Sequence, residues 1–149
     1  MLKHIDPLLT PELLFVLAAM GHGDEIAVVD ANFPADSVAR GTCHGRVVSL
    51  GAVSMPRAVK AILSVLPLDE FVDAPVRRMA GGSEPDELAE VQQEVQAVID
   101  DDSGRHWAMG ALERFAFYEA SRTSYAVVLT GERRFFGNVL IKKGVVAPE

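Results

Sequence analysis

The side chains best equipped to move protons or hold hydroxyl groups fall at the edges of apolar runs. His22 stands between two glycines in Gly21-His22-Gly23-Asp24, directly before the run Glu25-Ile26-Ala27-Val28-Val29, and Asp30-Ala31-Asn32-Phe33-Pro34 closes that run. An imidazole is the usual proton carrier near neutrality, and flanking glycines let backbone approach a ligand while leaving the ring accessible. Asp30 falls after the run, where open α/β sheets place their binding crevices, although an aspartate before a turn also bonds amides two residues on. Asp24 is read in the same two ways, as a partner of its own loop amides or as a chemical group. Further along, Asp69 ends Leu66-Pro67-Leu68-Asp69, Arg114 and Tyr118 share one face at helical spacing, and Asn138 follows Gly137 as a turn residue or a partner for a ligand hydroxyl. Phe115 and Phe117 are read as core.

The elements that must position these groups are legible in outline. Thr10-Pro11-Glu12 has a capping residue, a first-turn proline and an acid, and Leu13, Leu14, Leu17, Ala18 and Met20 follow at helical spacing. This predicts a helix with Gly21 as the left-handed residue past its end, so that His22 lies at the partially negative helix terminus. Ile26 to Val29 is continuously apolar, as expected of a strand covered on both faces. Residues 35–45 read as irregular, Val47 to Leu50 as a short strand, and Pro56 as the opening of a helix running to Leu66. Val76 to Met79 is a strand, and a loop over Gly81-Gly82-Ser83-Glu84-Pro85-Asp86 leads to a helix from about Glu87 to Ile99. Asp100-Asp101-Asp102 reads as a solvated turn, since no glycine or glutamate follows at calcium-loop spacing. A helix begun near Met109 carries Arg114 to Glu119, and strands at Tyr125–Leu129 and Val139–Ile141 finish the chain. Helix and strand alternate, which predicts a three-layer α/β/α architecture around a mixed, mostly parallel sheet.

The totals fix the class. A chain of 149 residues, 49% apolar and 23% charged, is the size of one domain, residues 1–149, and has the balance of a folded soluble protein. A net charge of −7 argues against a nucleic-acid partner, and Arg77-Arg78, Arg133-Arg134 and Lys142-Lys143 read as solvated edges rather than phosphate clamps. Cys43 is the only cysteine, so no intrachain disulfide forms and a reducing cytoplasm fits best. Beside His44 it reads either as a nucleophile or as a structural thiol, and nothing nearby in sequence orients it. No stretch is long enough to span a bilayer, and Met1-Leu2-Lys3-His4-Ile5-Asp6 is unlike a secretory signal.

One spacing raises a difficulty. A strand of six residues covers roughly 20 Å, so His22 and Asp30 at its two ends reach one small ligand only if the chain bends sharply. Otherwise they serve ligands in two copies of a site assembled between subunits.

The blocks Met20-Gly21-His22-Gly23-Asp24-Glu25-Ile26, Asp30-Ala31-Asn32-Phe33-Pro34, Leu66-Pro67-Leu68-Asp69, Arg114-Phe115-Ala116-Phe117-Tyr118-Glu119, Gly137-Asn138 and Lys143-Gly144 occur in this order. Together they resemble the L-fucose mutarotase and D-ribose pyranase family, and the Arg114 to Glu119 block is closer to the fucose branch. The resemblance implies the α/β fold of that family, interconversion of monosaccharide anomers without cofactor or metal, and a homo-oligomeric ring, commonly a decamer, with sites near subunit contacts. It implies His22 as general acid, Asp30 as a substrate-binding carboxylate, and Asp69, Asn138 and Arg114 as further substrate contacts. Tyr118 is implied both as a substrate contact and as a proton-transfer group. Phe136 stands where the family carries tyrosine, which removes one donor to a sugar oxygen, and Cys43 to Leu50 departs from the family's Arg-Ala-Asp-Gly segment. A non-catalytic sugar-binding or regulatory protein on the same scaffold is the alternative, followed by a purely structural oligomer.

Overall fold

The computed structural model describes residues 1–81, 84 and 86–148. In chain order the elements are α1 (Pro11–Ala19), β1 (Glu25–Val29), α2 (Ala35–Ala39), β2 (Val47–Ser49), α3 (Met55–Leu63), β3 (Val76–Met79), α4 (Glu90–Ser103), β4 (Gly110–Leu112), α5 (Arg114–Arg122), β5 (Ala126–Leu129) and β6 (Val139–Lys142). The strands form one sheet in the order β2-β5-β1-β6-β3-β4. β1 pairs in parallel with β5, β5 with β2 and β3 with β4, whereas β6 runs antiparallel to both of its neighbours, β1 and β3.

Alternation along the central strands builds the layers, because successive side chains point to opposite faces. Ile26 and Val28 of β1, Ala126 and Val128 of β5 and Val139 and Ile141 of β6 pack with the apolar residues of α1, α3 and α4. Ala27, Val29, Val127 and Leu140 point the other way, onto Val38 of α2 and Phe117 of α5. Both faces are therefore apolar and both are covered, which is the three-layer α/β/α arrangement with a mostly parallel sheet. Thr10 caps α1 by accepting the Leu13 amide at 3.2 Å, with Pro11 at the first helical position.

Several sequence expectations are corrected. Residues 35–39 are helical, a single short turn that packs Ala35, Val38 and Ala39 inward and is too brief to show a period. α4 runs on to Ser103, so the three aspartates lie in its last turn, and Gly104 ends it with φ +68°. Asp101 and Asp102 are exposed, as expected, but Asp100 is only partly so, because its carboxylate accepts from Gln96, His106 and the Trp107 amide. Met109 does not begin a helix, since residues 110–112 form β4 and α5 starts at Arg114 behind the carboxylate of Glu113. Most of the basic pairs are not solvated edges. Arg77 grips Glu25 with two bonds of 2.8 and 2.9 Å, Arg78 is buried, Arg134 pairs with Glu94 and Glu132, and Lys143 bonds to main-chain carbonyls. Of the predicted loop over residues 81–86, Gly82, Ser83 and Pro85 lie outside the described residues.

Candidate active site

The carboxyl end of β1 delivers Asp30, and β6, entering beside it in the opposite direction, begins one residue after Asn138. Their side chains lock together: Asn138 Nδ2 donates to Asp30 Oδ2 at 2.8 Å, and the Asp30 amide donates to Asn138 Oδ1 at 2.9 Å. Asp30 Oδ1 also accepts the Asn32 amide at 3.0 Å, so the turn role and the cavity role expected of this residue coexist. Burial pushes the Asp30 carboxyl above the usual range, with bonds from Asn32, Asn138, Phe33 and Gly137 pulling against it.

These two residues line a cavity of about 240 Å³ together with Asn32, Phe33, Met79, Arg114, Tyr118, Phe135 and Phe136. Arg114 and Tyr118 come from the first turns of α5, one turn apart, and Met79 from the carboxyl end of β3. Phe33 and Phe115 hold the Tyr118 ring, with centroids at 5.3 and 6.2 Å, and the Arg114 guanidinium lies 4.7 Å above Phe115. The cavity thus has polar groups suited to hydroxyls beside aromatic faces, the mixture expected of a small-molecule site.

Phe136 is part of this wall and adopts φ +62°, an uncommon conformation for a side chain of its size. Buried Gln92 secures it: Nε2 donates to the carbonyls of Phe136 at 2.9 Å and Met79 at 2.8 Å. Its ring lies flat on Gly81, where a Cβ would sit 2.3–2.4 Å from ring carbons.

At the amino end of β1 the arrangement is different. His22 Nε2 lies 3.1 Å from Asp69 Oδ1, and the two side chains are 46% and 3% exposed. The Phe71 ring packs on the imidazole at 5.4 Å, and the Phe71 amide donates to Asp69 Oδ1 at 3.1 Å. Burial raises the Asp69 carboxyl, but the Phe71 amide, the His22 ring and the Lys142 charge outweigh it and hold it below its ordinary range. His22 is therefore accessible, as the glycines suggested, with a carboxylate to orient it. The loop geometry departs from expectation, because Met20 caps α1 in an extended conformation and the positive φ belongs to Gly23, at +85°. Asp24 takes its loop role by accepting the Gly21 amide at 2.7 Å.

The predicted residues consequently fall into two groups. Asp30, Arg114, Tyr118, Phe136 and Asn138 share one cavity; His22 and Asp69 pair with each other at the opposite end of the sheet, roughly 17 Å of strand away. Within one protomer β1 does not bend to bring them together. Cys43 is exposed, and His44 bonds to Glu12 at 2.9 Å.

The profile of the RbsD / FucU transport protein family matches residues 3–146. The chain belongs to this family. It is 40% identical to the fucose mutarotase of Bos taurus over 99% of this chain and 96% of that one. Among solved structures it is similar to a candidate sugar-binding protein, with 51% identity, coverage of 99% and 97% and a TM-score of 0.96. It is also similar to the fucose mutarotase of Streptococcus pneumoniae in complex with L-fucose, with 36% identity, coverage of 98% and 100% and a TM-score of 0.87.

Family membership leaves some of the local supports in this chain unexplained by pattern alone. Phe71 fixes the His22–Asp69 pair and Gln92 fixes Phe136, yet neither is marked by the sequence. Both stand in segments with no distinguishing spacing, whereas Glu132 stands in what reads as a plain Thr-Gly-Glu turn and Lys143 in a basic pair and in the Lys143-Gly144 block.

Proposed function

We propose that the protein interconverts the α and β anomers of L-fucose, or of a closely related monosaccharide, as an isomerase using general acid/base chemistry. One observation carries this reading: a cavity of about 240 Å³ that gathers Asp30, Asn138, Arg114 and Tyr118 against aromatic walls, in a chain whose relatives are named fucose mutarotases. Mutarotation needs a proton on the ring oxygen and loss of one from the anomeric hydroxyl. The bond between anomeric carbon and ring oxygen then breaks, and the open aldehyde recloses on its other face. Both proton transfers lie within reach of an imidazole and a phenol.

In this reading Asp30 and Asn138 accept and donate to sugar hydroxyls, Arg114 donates to a further oxygen, and Tyr118 is one acid/base group. His22, oriented by Asp69, is the other. Asp69 serves the sugar through His22 rather than by lining the Asp30 cavity. Phe136 offers the sugar an apolar face.

Because the two groups stand at opposite ends of β1, a complete centre takes the Asp30 group from one copy and the His22 group from the next. Exposed aromatics flank both: Phe71 beside His22, and Phe115 and Phe135 beside the cavity. Apolar surface of this kind at two different places suits a head-to-tail contact that closes into a ring. We place the protein in the cytoplasm as a homo-oligomer, a decamer built from such rings. No helix among the described residues is long and apolar enough to cross a membrane.

Saturation-transfer NMR of the fucose anomers tests the activity. Exchange accelerates with the protein present, and His22→Ala reduces that acceleration by about 10²–10⁴-fold without unfolding. Unchanged exchange for fucose, ribose and galactose refutes the enzymatic reading. Calorimetric binding without faster exchange establishes the non-catalytic sugar-binding alternative.

A further inference from the structure

Residues 142–144 run between the loop that carries His22 and the loop that carries Asp69, and they are bonded to both. On one side the Gly23 amide donates to the Lys143 carbonyl at 2.8 Å and the Lys143 amide donates to the Asp24 carbonyl at 2.9 Å. On the other, the Asp69 amide donates to the Lys142 carbonyl at 3.2 Å, the Gly144 amide donates to the Pro67 carbonyl at 2.8 Å, and Leu68 bridges to Lys143. The separation of His22 and Asp69 is therefore set by this segment.

The side chain of Lys143 adds a third hold. Its Nζ donates to the carbonyls of Leu17 at 2.8 Å and Met20 at 2.6 Å, in the last turn and cap of α1. A helix end carries partial negative charge and unsatisfied carbonyls, and here an ammonium from a distant strand meets both needs. That explains why α1 stops without a left-handed glycine. It also ties Met20, two residues before the imidazole, to the strand that holds Asp69.

We propose that Lys143 is a positioning residue that sets the His22–Asp69 geometry by pinning the end of α1 to the end of β6. The proposal rests on the proton-transfer role given to His22 above. Lys143 does not line the cavity that holds Asp30 and Asn138. Its loss disturbs the acid/base pair and spares the sugar contacts.

Lys143→Met and Lys143→Arg test this by anomer-exchange kinetics. Lys143→Met lowers kcat by about 10- to 100-fold, the effect of misplacing a reacting group by an ångström or so, while KM stays within about twofold. Lys143→Arg, which keeps a charge and several donors, recovers part of the loss. An unchanged kcat, an equal fall in binding, or an arginine variant no better than methionine overturns the assignment. The His22 ring resonances give a readout independent of catalysis, with Asp69→Asn as reference. A Lys143→Met spectrum that moves toward the Asp69→Asn spectrum supports the proposal even if wild-type protein fails to accelerate exchange, whereas a wild-type ring spectrum overturns it. Should Lys143→Met fail to fold, Lys143→Gln, which retains one amide donor group, carries the same measurements.

Discussion

Glu132 gives the sharpest prediction about stability. It is buried, and its Oε1 accepts the amides of Arg133 and Arg134 and the Arg134 Nε, each at 3.0 Å. Oε2 accepts from Arg134 Nη2 at 3.0 Å and from the Met55 amide, at the first residue of α3, at 3.3 Å. Bonding to the Arg134 guanidinium holds the carboxyl at about 2, against 4.5 for an ordinary glutamate. At 1.36 kcal/mol for each pH unit of that depression, the charged form stabilises the fold by about 3 kcal/mol at neutral pH. Because the folded value is depressed, this contribution is complete above pH 5 and disappears as the pH falls through 4.5 toward 2. Glu132→Gln removes the charge and turns an amide toward the Met55 and Arg134 donors, so it costs about 3 kcal/mol at pH 7. Trp107, the only tryptophan and a buried one, reports unfolding in urea at a fixed protomer concentration. The difference between wild type and Glu132→Gln shrinks between pH 5 and pH 2.5. A difference that stays constant over that range, or is absent at pH 7, refutes the reasoning.

Two further substitutions probe close backbone approaches. A Cβ at Gly144 would lie 2.3 Å from the Leu68 carbonyl oxygen and 2.9 Å from the Asp69 Cα, so Gly144→Ala forces the Asp69 loop outward. It costs about 1–3 kcal/mol in thermal or urea unfolding, as overpacking does, and lowers exchange activity with it. At Gly81 the contact is with the Phe136 ring, so Gly81→Ala displaces the aromatic wall and weakens sugar binding measured by calorimetry about fivefold, equivalent to about 1 kcal/mol. Folding stability changes less, since the ring already faces a cavity.

The buried strands and the proline-opened helices were legible because their signals are local. Thr10-Pro11 marks a helix start wherever it occurs, and four apolar residues in a row at Ile26 to Val29 need cover on both faces whatever their neighbours. The direction of β6 was not legible, because pairing partners are set by tertiary contacts and Val139 to Ile141 would suit a parallel strand equally well. The short turn of α2 gives no period, and β4, whose Gly110 has no side chain to alternate, reads in sequence as part of a helix. Among the candidate site residues, His22, Asp30, Tyr118 and Asn138 stand out by residue type and neighbours, and the distance between His22 and Asp30 follows from strand rise alone. Long-range bonds are not legible in this way: the Lys143 side chain reaches α1 across more than 120 residues of chain, and Glu132 meets Met55 across 77. A basic pair and a turn glutamate look the same in sequence whether they face water or a helix end.

On the function proposed above, which puts the proton donor and the sugar pocket at opposite ends of one strand, the assembly has an arithmetical outcome. A file of protomers joined head to tail has one working centre fewer than it has members, and an idle half at either end. Joining the ends converts both halves into one more centre, so a closed ring is the smallest assembly with nothing wasted. Turnover per protomer then falls on dilution as soon as rings open into pairs and singles, long before any chain unfolds.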